Sequence, residues 1–344
     1  MSSSVPTFGL WYDLRNPPQW RQPTGQLYRD TLDQAVWAEQ LGFGSAWFSE
    51  HHFSDDDYLA SPLTFAAALG ARTTTMRVGT NIIVAALHDP VRLAEDAVAI
   101  GLLTGDRFEL GLGLGYHARE FEAFGRTVRQ RPSLFEDAIA VIRRSWSGSD
   151  ERYEGRRFSS PGLAVTPVPE KAPRLLIGGQ SQPGVERAAR LADGVITLSN
   201  DHFQWYLDEV SRQGRDVSEA RIYASQWAIV ADDPEKVWAQ IGEKALYQIN
   251  QYIAWGSFEG SGTPSHFPDP QALLDAGVYR LLDASMAVDE LVGLATACPQ
   301  IRDFHFWAQL PGEPVESGSA RIQYMADHVI PEVARRLQPT AQHA

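Results

Sequence analysis

Cysteine occurs once in 344 residues, at Cys298, so no intrachain disulfide can form and noncovalent packing must hold the fold. The opening Met1-Ser2-Ser3-Ser4-Val5-Pro6 has no apolar core of a secretory leader, and no stretch is long and apolar enough to cross a bilayer. These absences lead us to expect a cytoplasmic protein without membrane contacts. Basic residues are also in deficit: 30 Lys and Arg stand against 43 Asp and Glu, a net charge of -13, and no dense basic run occurs. A phosphate backbone is therefore a poor partner, and we expect no nucleic-acid binding. Low-complexity tails and short internal repeats are missing too. Apolar residues are plentiful at 44%, enough for a sizeable core.

That apolar content is distributed in a regular way. Short runs occur at Thr7–Tyr12, Ser45–Ser49, Arg77–Ala86, Arg107–Leu112, Arg174–Ile177, Gly194–Leu198, Arg221–Val230 and Ile301–Ala308, and helix-period segments lie between them. Tyr28, Leu32, Ala35, Ala38 and Leu41 recur at spacings of three and four, and Gly42-Phe43-Gly44 then breaks the helix. Asp89 is placed to cap a helix opened by Pro90, whose fixed φ suits a first helical position; Gly105 lies past its end. Phe135, Ala138, Ile139, Ile142 and Trp146 mark another. Eight strands alternating with helices predict an α/β fold, a (β/α)8 TIM barrel spanning 1–344 as one domain, with insertions at the C-terminal face.

Two segments interrupt the repeat. Residues 153–173 hold four prolines and are too long for an ordinary connection, so we expect an excursion over the barrel that covers a site. Residues 256–270, rich in Gly, Ser and Pro, can form neither regular element; they are either a mobile lid or a passive surface loop.

Polar candidates fall at the ends of the predicted strands, where such barrels carry their sites. Glu50-His51-His52 follows the run Ser45–Ser49. Adjacent residues on an extended segment point to opposite faces, so the two histidines cannot chelate one ion and we expect no metal. One histidine facing the mouth, oriented by the other or by Glu50, suits acid–base chemistry; the alternative is a polar cluster that satisfies buried backbone groups. Gly178-Gly179-Gln180-Ser181 precedes a helical pattern. Two glycines allow close backbone approach, Ser181 can cap, and free N–H groups at the helix start would face an anion, although a tight turn needing glycine only for its dihedrals explains the loop equally well. Gly113-x-Gly115-x-x-Ala118 matches the dinucleotide fingerprint weakly, after several βα units have already passed. We read it as a barrel turn where Gly115 and Tyr116 let a flat ring approach the backbone. Arg126, Arg129 and Arg131 can bind an anion, but their pattern suits a solvated face better.

The ordered succession of Trp47-Phe48-Ser49-Glu50-His51-His52-Phe53, Val78-Gly79-Thr80-Asn81-Ile82-Ile83-Val84, His88-Asp89-Pro90-Val91-Arg92-Leu93-Ala94-Glu95-Asp96, Gly105-Asp106-Arg107-Phe108-Glu109-Leu110-Gly111 and Arg187-Ala188-Ala189-Arg190-Leu191-Ala192-Asp193-Gly194 resembles the bacterial luciferase-like flavin-dependent monooxygenases. The likeness covers most of the chain through Gly194 and weakens after about Asn200. It implies a barrel that binds reduced FMN at its mouth, where oxygen forms a flavin peroxide that attacks a small, largely apolar substrate. It assigns peroxide stabilisation or proton transfer to His51 with Glu50 beside it, a flavin-side bulge with a non-proline cis peptide to Thr80-Asn81-Ile82, and the phosphate loop to Gly179, Gln180 and Ser181. It further implies a homodimer and, with no nicotinamide site in evidence, a separate flavin reductase. The luciferase catalytic subunit's reactive cysteine position is Gly113 here and its phosphate-binding arginine is Leu114, so light emission is not expected and the phosphate contacts must come from elsewhere. Glu120 is retained, its role open. Related barrels use the deazaflavin F420 for hydride transfer, and others bind flavin without turnover; both stand as alternatives.

Overall fold

The computed structural model describes residues 5–162 and 164–338. Residues 1–4 and 339–344 of the expected domain, and residue 163 of the expected excursion, lie outside them. In chain order the strands are β1 (Thr7–Tyr12), β2 (Ser45–Phe48), β3 (Arg77–Thr80), β4 (Ile83–Val84), β5 (Phe108–Gly113), β6 (Tyr153–Glu154), β7 (Ser159–Ser160), β8 (Arg174–Gly178), β9 (Gly194–Thr197), β10 (Ile222–Gln226), β11 (Ala228–Val230), β12 (Arg280–Leu282) and β13 (Ile301–Trp307). Strands β1, β2, β3, β5, β8, β9, β10 and β13 follow one another round a closed parallel ring: β3 pairs β5, and β13 returns to β1. The fold is the expected (β/α)8 barrel.

Local chemistry places the helices as their spacing predicts. The helix Thr24–Gln40 buries Leu27, Ala35 and Ala38. In Pro90–Thr104, the Asp89 carboxylate accepts from the backbone N–H of Val91 and Arg92, and Gly105 closes the end in the left-handed region at φ 62°. Arg131–Trp146 buries Phe135, Ala138, Ile139, Ile142 and Trp146. Inside the ring, Gly111 is required by space, since a Cβ there would stand 1.9 Å from the Thr80 carbonyl oxygen.

Two expected strands are divided. Arg77–Ala86 breaks into β3 and β4 around a cis Asn81–Ile82 peptide bond, at the position the family resemblance implies. Arg221–Val230 breaks at Trp227: β10 belongs to the barrel, whereas β11 leaves it and pairs with β12 in a separate two-stranded sheet. An apolar run alone does not reveal where a strand changes partner. The excursion also differs from expectation. Its residues 153–160 form a short antiparallel hairpin, and Lys171, Ala172 and Pro173 border a cavity with Arg77, Phe108 and Arg174 at the strands' N-terminal ends. Among the described residues, none of 153–173 lines the cavity at the opposite, C-terminal mouth.

Candidate active site

A cavity of about 320 Å³ opens at the C-terminal mouth and gathers residues from β1, the β2 end, the β3/β4 break, the β5 turn, the β8 loop and the segment after residue 255. His51 stands in its wall. The Nδ1 atom lies 2.8 Å from Glu120 Oε1, and Nε2 lies 2.8 Å from the Tyr116 hydroxyl. Burial alone would raise the Glu120 carboxyl, but hydrogen bonds from His51 and from the His52 backbone N–H hold it below the ordinary value. An ionised carboxylate only accepts, so the ring proton sits on Nδ1 and the Nε2 lone pair is directed into the cavity, where it accepts from Tyr116. Tyr116 is partly buried, and desolvation of its hydroxyl pushes its pKa up, which keeps it a neutral donor. Rings of Tyr58, Trp255 and Tyr252 surround the imidazole at 4.8, 4.8 and 6.1 Å. Behind them the buried Arg15 guanidinium, paired with Asp56 at 2.6 Å, lies 5.1 to 5.4 Å from four ring centroids including Tyr58, Tyr252 and Trp255. Within this collar the imidazole is left 6% exposed, at the cavity wall.

The orienting carboxylate of His51 is thus Glu120, neither Glu50 nor His52. Glu50 accepts from the Val84 backbone N–H at 2.6 Å and pairs with His88 Nε2 at 2.7 Å and His52 Nε2 at 3.3 Å. Burial opposes its ionisation, yet His88 and His52 bring its pKa to about 2. The side chain also borders the cavity, but its oxygens are committed to tying β4 and the start of the Pro90 helix to the β2 end. The two histidines diverge as strand geometry requires, into separate groups: His51 with His117 and Glu120, and His52 with Glu50 and His88. In each group the candidate ligand atoms lie within 4.8 Å of one another.

Of the other expected positions, Asn81, Gly115, Tyr116, Gly178, Gln180 and Ser181 line the cavity. Thr80 and Gly179 do not. Thr80 Oγ1 donates to the Gly111 carbonyl at 2.8 Å and accepts from its N–H at 2.9 Å, which seals β3 to β5. Gly179 lies against the helix Gln182–Leu191, where a Cβ would stand 3.0 Å from Val185. Ser181 occupies the N-cap position of that helix but makes no side-chain cap bond. Residues 256–259 of the Gly-rich segment also line the cavity, and its far end is pinned where Asn250 and Phe267 exchange two hydrogen bonds of 2.9 and 3.0 Å.

Sequence reasoning named Arg131 as a possible anion ligand but favoured a solvated face; it is the cavity's one Lys or Arg among the described residues. One guanidinium nitrogen donates to the Gly115 carbonyl at 3.0 Å, and among the described residues no carboxylate pairs with it. The position between Arg129 and an apolar helix face gave no sign that the chain would turn it inward. An aromatic wall also emerges at the far side: Trp11 stacks on Trp307 at 3.8 Å, and Trp227 meets both edge-on.

Fold and site together define a barrel whose partly aromatic cavity holds, among the described residues, a single Lys or Arg side chain and a carboxylate-oriented histidine. The family model for luciferase-like monooxygenases matches residues 7–293, and the chain belongs to that family. The chain spans about half the length of the first curated relatives it matches, among them the uncharacterized protein y4vJ of Sinorhizobium fredii, 30% identical over 190 residues, 52% of this chain and 54% of that one. Longer matches include the 4-hydroxyprotoasukamycin monooxygenase of Streptomyces nodosus subsp. asukaensis, 26% identical over 80% of each chain. An F420-dependent glucose-6-phosphate dehydrogenase of Mycolicibacterium gilvum is 26% identical over 88% of this chain and 87% of that one. The fold matches the monooxygenase RslO1 of Streptomyces bottropensis with a TM-score of 0.79 at 21% identity, covering 94% and 99% of the two chains. It also matches the oxygenating constituent of the 3,6-diketocamphane monooxygenase of Pseudomonas putida, solved with FMN, at TM-score 0.76 and 16% identity over 95% and 99%.

Proposed function

We propose that this chain is a monooxygenase that uses reduced FMN and O2 to oxidise a small, largely apolar organic substrate, with the flavin delivered by a separate reductase. The observation that carries the reading is the convergence in one cavity of His51, oriented by Glu120, with an anion-binding end made by Gly178, Gln180, Ser181 and Arg131. When bound, reduced FMN supplies the two electrons that activate oxygen. His51 accepts or returns a proton at Nε2, and Glu120 stabilises the imidazolium that results. Tyr116 holds Nε2 until substrate replaces it. Trp11 and Trp227, backed by Trp307, offer apolar surface to the substrate. Gly113 belongs to a barrel strand and not to a Rossmann unit, which supports a reductant made by a separate protein. The family resemblance supports a homodimer.

Arg131 replaces the cation lost at Leu114. Arg131→Ala is expected to weaken FMN by about tenfold or more, in keeping with loss of a charge-assisted phosphate contact, and to leave riboflavin, which has no phosphate, unaffected. Equal losses for both ligands, measured by fluorescence titration, would remove Arg131 from the phosphate site. The reaction class is tested with 18O2 and a panel of cyclic ketones and long-chain aldehydes. The monooxygenase reading predicts one labelled oxygen in the product, and label arriving from water would end it.

The similarity to an F420-dependent dehydrogenase across 88% of the chain favours a second reading, hydride transfer on F420. Oxygen-independent reduction of F420 by an alcohol substrate is its signature.

A further inference from the structure

Beneath the cavity, inside the barrel, lies a buried polar column that the proposed chemistry does not use. His305, Asp303 and Ser225 are buried at 0, 0 and 2% exposure, and Asn81 above them reaches the cavity. His305 Nε2 contacts the Ser225 hydroxyl and lies 3.1 Å from Asn81 Nδ2; Nδ1 faces Asp303 Oδ1 at 3.7 Å. The second oxygen of Asp303 accepts from Ser45 at 2.5 Å, Thr7 at 3.0 Å and the Arg77 guanidinium at 2.6 Å. The ring is fixed between Trp11 and Trp47, at centroid distances of 5.8 and 5.5 Å.

Charge and geometry together favour one placement of the hydrogens. Burial disfavours charge on Asp303, but His305, Arg77 and Ser45 hold its carboxyl below the ordinary value, so it is ionised and only accepts. No hydrogen bond joins Nδ1 to Asp303 across 3.7 Å, but the charge of the carboxylate favours the His305 proton on Nδ1, which leaves Nε2 as the acceptor. Whatever faces Nε2 must donate. Ser225 gives it O–H, and Asn81 turns its amide nitrogen downward, with a further contact of 3.4 Å from Nδ2 to Ser225 Oγ. Asn81 lines the cavity, and with its amide nitrogen turned downward the carbonyl oxygen is left on the cavity side.

We propose that Ser225, His305 and Asp303 act as an orientation lock that fixes Asn81 as a hydrogen-bond acceptor for the N5–H of reduced FMN. The inference rests on the FMN reading and deepens it. N5 carries hydrogen in reduced flavin and none in oxidised flavin, and F420 has carbon there. An acceptor locked at this site therefore favours reduced FMN over both. Asn81 is the contacting residue; His305 and Ser225 are positioning residues.

The test is the ratio of reduced to oxidised FMN affinity, measured anaerobically for the full chain and checked as the midpoint potential of bound FMN. The wild-type protein is expected to bind the reduced form about tenfold more tightly, equivalent to a rise of about 30 mV for a two-electron couple. Asn81→Leu, which removes the acceptor at similar size, and His305→Phe, which removes the lock, should both abolish that preference. Ser225→Ala should weaken it, with oxidised FMN affinity preserved. His305 lies in the core, so thermal melts accompany each variant, and Asn81→Leu at the cavity surface decides the matter if His305→Phe does not fold. A wild-type preference that survives Asn81→Leu overturns the lock and leaves the FMN reading standing. Wild-type protein that binds F420 and neither form of FMN overturns the FMN reading itself, and the lock with it.

Discussion

His51→Ala should lower FMNH2-dependent substrate oxidation by on the order of 10²- to 10⁴-fold, the usual worth of a positioned acid–base group, while FMN binding is largely retained. The separation follows from geometry. His51 is held by Glu120 and Tyr116 in one part of the cavity wall, whereas the anion-binding end we propose is built by the β8 loop and Arg131. Glu120→Gln should approach the same loss, because a neutral amide can donate to Nδ1 and so drive the ring into the wrong tautomer. Substrate oxidation by His51→Ala at the wild-type rate, with product quantified by mass spectrometry, would take His51 out of the mechanism. A parallel loss of FMN affinity would make it a binding residue.

Glu50→Ala should cost about 3 kcal/mol of stability at pH 7, since it leaves two partly buried imidazoles and a backbone N–H without their partner. Glu50 has a folded pKa of about 2, below the ordinary value of 4.5. A depressed carboxyl stabilises the fold above its unfolded pKa and loses that contribution as pH falls through the folded one. The Glu50 contribution is accordingly complete above about pH 5 and fades between there and pH 2; its size from the pKa shift is about 3 kcal/mol. Urea unfolding of wild type and variant at pH 7 and pH 3 checks this. The gap between the two proteins should narrow at pH 3, and a gap that is small at pH 7 or independent of pH would show that Glu50 is not the anchor described.

The barrel was legible because its signals are local. A capping Asp89 before Pro90, a glycine after the last turn and short apolar runs at regular intervals are written in neighbouring residues. His51 was legible for a related reason: strand alternation dictates that it and His52 part company, and the strand end dictates that one faces the mouth. The rest depends on partners distant in sequence. Glu120 reaches His51 across 69 positions, and His305 reaches Asn81 across 224. Glu50 seemed the natural orienting group beside its histidines, but on an extended segment its side chain leaves in a different direction from that of His51. Thr80 and Gly179 sit in the right motifs and face the wrong way, toward Gly111 and Val185. Arg131 had the composition of a solvated face, and its place in the cavity rests on a contact 16 positions away, with the Gly115 carbonyl.

We propose that this cavity holds reduced FMN and uses it with oxygen. Anaerobic titration of the purified protein with FMNH2, FMN and F420, followed by admission of O2 to the saturated complex while absorbance and oxygen uptake are recorded, tests it most directly. The account predicts binding of FMNH2 in preference to FMN and F420, then oxygen consumption coupled to product formation when an apolar carbonyl substrate is present. Tight F420 binding, with no oxygen consumed and hydride passed between F420 and an alcohol, would contradict it.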